Sequence, residues 1–432
     1  MRKLLTGIAT LGLVATGLVA TGVGLGGGIA AAAGKSKAPI VVGGDGDLSI
    51  SQGVAQGFEA GIYRFNKAGG LDGRKIKFLG FLDDAFSPAT NLSNAQQLVQ
   101  KDHVFAVVPV AGEAPGAATG QFLAAHHIPF IGWSTSAAFD AEPKWGLGVN
   151  GNQGNPEVQG ATGMLQAIAA QHAQKDPSKV KMALIANNFS GAIIANQALA
   201  GVAKHVGIDV TYAEAPIAPV GTTNYAPYAQ AIMSSHANTV YEVLAAADSI
   251  GLAAALKAAG FKGMIINGVT YYPGELAGNP NEAAALNGVY VENEFPVDEE
   301  HTPATNQALK DFKAIGQPAA MPSGAAAGYW SAIVFEQMLK ATLARVHNIN
   351  KVTPLALQQT VTGSKSFTYK DPIPGGIGQE TFPAAETIPT GCGALVKTVG
   401  TKFKMVEKYK CYYDINIKTG QKINPQTGKP LG

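Results

Sequence analysis

The feature that most constrains the fold is an alternation of short apolar runs with amphipathic ones, repeated in two blocks. In the first block, Ile40-Val41-Val42 reads as a strand. Ser51 to Asn66 reads as a helix, with Val54, Phe58, Ile62 and Phe65 on one stripe. Ala68-Gly69-Gly70 stops it. Lys75 to Leu82 predicts a strand, and Ser87-Pro88 caps a helix running to Gln100. Val104 to Val110 predicts a strand, Gly116 to Ala125 a helix and Ile128 to Ile131 a strand. The polar, turn-rich stretch Asn150 to Pro156 predicts a loop, after which the pattern restarts. The second block predicts helices over Glu157–His172, Gly191–Val206, Thr223–Ser235 and Asp248–Ala259. Its strands are Lys181–Ala186, Ile208–Tyr212, Thr239–Leu244 and Met264–Asn267. Such alternation builds parallel sheets with helices on both faces, so two blocks predict two α/β lobes. A third, mainly helical block follows Val289-Tyr290-Val291: Pro303–Ile315, Ala325–Val346 and Pro354–Val361. The chain then runs through a Pro/Gly loop, Asp371 to Gly378, into a hairpin between two cysteines. The polar end, Lys418 to Gly432, is expected to fray.

The N-terminal segment speaks to compartment. Residues 4 to 34 carry no charge, follow Arg2-Lys3 and end in an Ala-x-Ala pattern at Ala30 to Ala33. A positive start, an apolar middle and a small-residue exit predict a signal peptide over 1–34, with a mature end near Gly34. An uncleaved anchor is the alternative, since the run is long; its many glycines, Gly7 to Gly28, weaken it as a spanning helix. A lipoprotein needs a cysteine at the cleavage point, and none precedes Cys392. The expected location is therefore exported, periplasmic or in the cell envelope, without lipid. Arg2 and Lys3 also account for the whole formal charge of +2. The remainder is balanced and lacks a basic stripe, which argues against a nucleic-acid partner. Cys392 and Cys411, the only two cysteines, cannot make a four-thiolate zinc site. They flank two strand-like runs about Gly400-Thr401. One disulfide in an oxidising compartment and two buried free thiols both remain open.

Ligands of open α/β sheets sit beyond the carboxyl ends of the strands, so the loops there are the places to search. Gly43-Gly44-Asp45-Gly46-Asp47 is not a dinucleotide fingerprint. Its two aspartates hint at a calcium loop, but the twelfth position is Gln56 rather than Glu. No P-loop, zinc-protease or nucleophile-elbow motif occurs. His126-His127 are adjacent and cannot easily share a metal, so neither cofactor nor metal is expected. Trp133 with Ser134, Thr135 and Ser136 follows a strand and could hold an oxygen and cover an apolar group; a capped turn is the plainer account. Tyr271 and Tyr272 follow another strand, where a packed loop pair would be equally ordinary. Glu113 and Asp248 also follow strands, and either could serve a helix N-terminus instead.

The run Glu59 to Ile76, with Asn66, Gly69-Gly70 and Gly73-Arg74, resembles a signature of branched-chain amino-acid-type solute-binding proteins of ABC importers. Asp83-Asp84 with Pro88, His127 to Ile131, Phe189-Ser190-Gly191 and Gly221 to Tyr228 extend the likeness over roughly residues 38 to 400. The resemblance implies the type I periplasmic fold: two Rossmann-like lobes joined by a three-segment hinge, with ligand in the interlobe cleft. Lobe 1 would be 38–150 plus 296–366, and lobe 2 would be 151–295 plus 367–417. The crossings would fall near Val149–Asn155, Val291–Pro296 and Phe367–Asp371. It implies no enzyme activity and two partners, a small molecule and an ABC importer permease, with membrane contact only through the latter. The expected ligand contacts are Gly112, Glu113, Trp133, Ser134, Thr135, Ser136, Asn152, Phe189, Asp248, Tyr271 and Tyr272. Departures from the pattern concern the ligand. Ala111 to Pro115 replaces a serine-rich loop, and Ala245–Ala246 and Val269–Thr270 stand where a tyrosine and an acid are expected. A free ammonium group needs such acceptors, so the expected solute is weakly charged, aromatic or amide-like. A secreted sensor of the same fold is the alternative.

Overall fold

A computed structural model describes residues 37–432 apart from 113–115, 153–154, 156, 160–175, 219–220, 269, 364–365, 383, 390 and 426. The helix expected over Glu157–His172, the N-terminal segment and Glu113 lie outside the described residues. Residues 37–432 form one compact unit built around two large sheets.

The first sheet holds β1 (Ile40–Gly46), β2 (Ile76–Asp83), β3 (Ala106–Ala111), β4 (Phe130–Trp133) and β5 (Gly146–Val149). All are parallel, in the order β2-β1-β3-β4-β5. Strand β3 is buried throughout and contains Pro109. Proline gives no N–H to a ladder, and the pairing register shifts beside it on both flanking strands.

A short strand, β6 (Val158–Gln159), leads to the second sheet. There β7 (Lys181–Asn187), β8 (Asp209–Ile217), β9 (Thr239–Val243), β10 (Met264–Asn267) and β11 (Tyr290–Asn293) are also parallel. Their order, β8-β7-β9-β10-β11, repeats the 2-1-3-4-5 order of the first sheet. The chain next returns to the first sheet. The helices Pro303–Ala314 and Ser323–Val346 pack on the helix Val54–Lys67, whose stripe of Val54, Phe58, Ile62 and Phe65 is buried. A two-stranded hairpin follows, β12 (Phe367–Lys370) with β13 (Gln379–Phe382), which the sequence reading does not contain. Tyr369, Ile377, Phe382 and Ala385 belong to the same core as β1 and the long helix. The chain thus leaves the first core only after Ala385, later than the Phe367–Asp371 crossing expected from sequence.

Strands β14 (Cys392–Val399) and β15 (Lys402–Cys411) then close the far edge of the second sheet, β14 antiparallel to β11 and β15 antiparallel to β14. Cys392 and Cys411 face each other at the open end of this hairpin and form the disulfide. The end of the chain corrects the expectation of a frayed tail. Strand β16 (Asp414–Asn416) pairs with β6 and with β17 (Lys422–Ile423), and Leu431 donates back to Lys422.

Candidate functional site

A sheet ordered 2-1-3-4-5 has a switch point between its strands 1 and 3, and crevices open beyond the carboxyl ends there. In the first sheet that point lies between β1 and β3. Asp47, just beyond β1, donates its backbone N–H to Ala111 at 3.0 Å. Gly112 has a φ of 110°, and a Cβ there would stand 2.8 Å from the Asp47 nitrogen. In the second sheet the point lies between β7 and β9. Asn187, fully buried, bridges it: its Oδ1 accepts from Ala245 N–H at 2.7 Å and its Nδ2 donates to Asp248 at 2.8 Å. Asp248 also accepts from the Tyr225 hydroxyl at 2.7 Å. Asp248 is therefore committed to holding its own lobe's loop.

Trp133 ends β4 and is almost fully buried. Its indole N–H donates to Glu294 at 2.5 Å, and its ring meets Phe295 edge-on at 5.7 Å. Ser134 donates to the Gly151 carbonyl, and Thr135 donates to the Gly112 carbonyl at 3.3 Å. Ser136 is buried, and its hydroxyl has no hydrogen-bond partner among the described residues. Across the molecule, Thr270 and Tyr272 follow β10; both are buried, and neither hydroxyl has a partner among the described residues. Tyr271 differs from its neighbour. Its ring packs on Phe403 in the second core, and its hydroxyl donates to Glu299 and accepts from Asp298 N–H. Phe189, at the start of the helix Ser190–His205, meets Phe86, which follows β2, with ring centroids 5.5 Å apart and the planes tilted by 53°. This contact joins the carboxyl-end loops of the two sheets.

Three segments carry the chain between the sheets, and they bond to one another. Asn150 N–H donates to Glu380 Oε1 at 2.6 Å, and its Nδ2 donates to the Glu294 carbonyl at 2.8 Å. Gly151 bridges to Pro389, while Asn152 donates to the carbonyls of Ile388 and Glu386. Asn152 is thus part of the crossing bundle. Glu380 is fully buried, and burial pushes its carboxyl up to about 8, against the stabilising Asn150 N–H. Sequence reasoning missed Phe86, Asn150, Asn187, Glu294 and Glu380. A signal for Asn150 existed in the Asn-Gly pair that ends β5; the glutamates lie in alternating segments that read as half-exposed.

The chain matches the family model described as "Periplasmic binding protein" over residues 40–402. No curated protein matches it. Solved structures do. One is a solute-binding protein of an ABC transporter from R. palustris in complex with 4-hydroxybenzoate: 19% identity, TM-score 0.67, covering 86% of this chain and 97% of that one. Another is a fatty acid ABC transporter substrate-binding protein from Thermomonospora curvata: 17% identity, TM-score 0.70, covering 88% and 94%. A third is a branched-chain amino acid transporter substrate-binding protein from Streptococcus pneumoniae in complex with isoleucine: 15% identity, TM-score 0.66, covering 87% and 100%. At these identities the likeness establishes a shared two-lobed α/β fold, and the family match over most of the chain establishes descent: this protein belongs to the periplasmic binding protein family.

Proposed function

We propose that the protein is an extracytoplasmic solute receptor that captures a small molecule between its lobes by hinge closure and hands it to an ABC importer permease. The observation that carries this reading is the pair of sheet ends. Each switch point opens at carboxyl ends of strands, and buried hydroxyls without partners among the described residues follow the carboxyl ends of other strands in both sheets: Ser136 after β4, Thr270 and Tyr272 after β10. Buried polar groups are normally satisfied, and a ligand's oxygens or amide would satisfy these. A similarly folded protein that holds 4-hydroxybenzoate supports an aromatic solute, as does the apolar face of Trp133. The missing acceptors at Ala245 and Thr270 fit a solute without a free ammonium group.

A thermal-shift screen of benzoate, 4-hydroxybenzoate, aromatic amides and branched-chain amino acids tests this. An aromatic hit should raise the melting temperature with ligand excess. It should also reduce the radius of gyration in solution scattering, as closure requires. Trp133→Ala should weaken the hit by about 2 kcal/mol. Ser136→Ala removes a hydroxyl bonded to nothing else and should weaken binding with the fold intact. If leucine or isoleucine is the best ligand and both variants bind it unchanged, the ligand class and the pocket are both wrong.

A further inference from the structure

A second set of groups lies at the carboxyl ends of the neighbouring strands β1 and β2. One carboxylate oxygen from each of Asp47, Asp83 and Asp84 stands within 4.8 Å of the other two. Asp47 and Asp84 are buried, and Asp83 is open to solvent. Asp45 lies behind them, bonded to Asn91 and Asn94 at 3.0 Å each. Among the described residues, no lysine, arginine or histidine forms an ion pair with any of the four.

Two observations set this apart from a solvated acidic face. Asp47 is 1% exposed, and its Oδ1 already accepts from Ser49 N–H, the Ser49 hydroxyl and Ile50 N–H. The oxygen left to it, Oδ2, is buried and accepts from nothing. Asn91, fully buried, uses Nδ2 to join Asp45 and Asp84 at 3.0 Å each, and its own amide oxygen also lacks a donor. A buried carboxylate oxygen without a donor, in the company of two more carboxylates, is costly unless a cation satisfies it.

We propose that Asp47, Asp83 and Asp84 hold one divalent cation of the calcium type, with Asn91 orienting Asp84 from behind. The donors are all hard oxygens, the set that suits such ions. Oxygens on one calcium lie at 2.3–2.6 Å from it, so they can stand about 5 Å apart; around magnesium the limit is about 4.2 Å. The three oxygens, all within 4.8 Å of one another, fall inside the calcium limit. Asp83 gives the entry side. The ion's place also has a consequence for the cleft. Asp47 abuts Gly112, and Phe86, two residues beyond Asp84, carries the contact to Phe189. A bound cation would fix the lip of the first lobe that meets the second.

The test needs no solute, so it stands apart from the ligand assignment. The full chain is stripped with a chelator, dialysed against calcium at about 1 mM, the range of extracellular modules, and its metal content is measured. One calcium per chain is expected, together with a rise in melting temperature that magnesium reproduces only weakly. Asp83→Asn should weaken calcium binding at least ~10-fold. Its metal-free melting temperature should not fall, because Asp83 is exposed, asparagine keeps the oxygen that accepts from Leu48 and Ala85, and one negative charge beside Asp84 is removed. No stoichiometric uptake, or uptake that is undiminished in Asp83→Asn and in Asp47→Asn, overturns the proposal.

Discussion

His347 ends the helix Ser323–Val346 in the left-handed region, with a φ of 52°. His103, His127, His236 and His301 adopt the same region, and all five are exposed. Glycine is the usual occupant of such a position because a Cβ makes it costly. The expected outcome for His347→Gly is a stabilisation of about 0.5–1 kcal/mol, because glycine adopts this backbone region without the Cβ cost. Chemical unfolding at pH 7.5 measures it, and a loss of stability would show that the imidazole earns its place. At this scale the sequence was only partly legible. Histidine does not announce a positive φ as glycine does. The roles of Asp248 and Tyr271 depended on Asn187, Tyr225 and Glu299, partners distant in the chain.

The contact between the helices Val54–Lys67 and Ser323–Val346 is set by small residues on both sides. A Cβ at Gly57 would fall 1.9 Å from the Ala325 carbonyl oxygen, and one at Gly328 would fall 2.0 Å from the Val54 carbonyl oxygen. Each is a clash with backbone, which a side chain cannot relieve by turning. Gly328→Ala should therefore cost about 1–3 kcal/mol by forcing the helices apart, although alanine is the better helix former. Thermal unfolding checks this, and a stabilised variant would contradict the close approach. The elements themselves were legible wherever periodicity ran long, as in the stripe Val54, Phe58, Ile62, Phe65. The hairpin β12–β13 was not, because Phe367-Thr368-Tyr369-Lys370 is short and its partner lies beyond a Pro/Gly loop. The strand at 422–423 escaped for a similar reason: two residues carry no pattern, and pairing with β16 alone defines them.

At the scale of the whole molecule, several buried acids have no ion-pair partner among the described residues. Glu242, Glu292 and Glu380 are buried in the strands, and burial raises their carboxyls to about 8, 7 and 8. Unfolding returns each to the ordinary glutamate value of 4.5. Between those values the folded state binds more protons than the unfolded one, so stability falls as pH rises. It is fully present below pH 4.5 for these groups and is lost through pH 7 to 8. A higher melting temperature is expected at pH 5 than at pH 8, and Glu380→Gln, which keeps an acceptor for Asn150, should flatten the difference. A melting temperature that rises with pH in this window would sink the account. The two-lobe plan was legible at this scale from the strand–helix alternation, while the charge state of the interior was not, since a glutamate in an alternating strand reads as solvent-facing. The glycine-lined helix contact also governs how the chain is made. Strands β7 to β11 lie in one continuous stretch joined by local helical crossovers, whereas the helix Val54–Lys67 must wait for Ser323–Val346. Contacts between distant segments carry a higher closure entropy and form late. A polypeptide emerging from its N-terminus therefore holds Val54, Phe58 and Ile62 short of their final cover until Ser323–Val346 arrives, while the central strands of the second sheet can already pair.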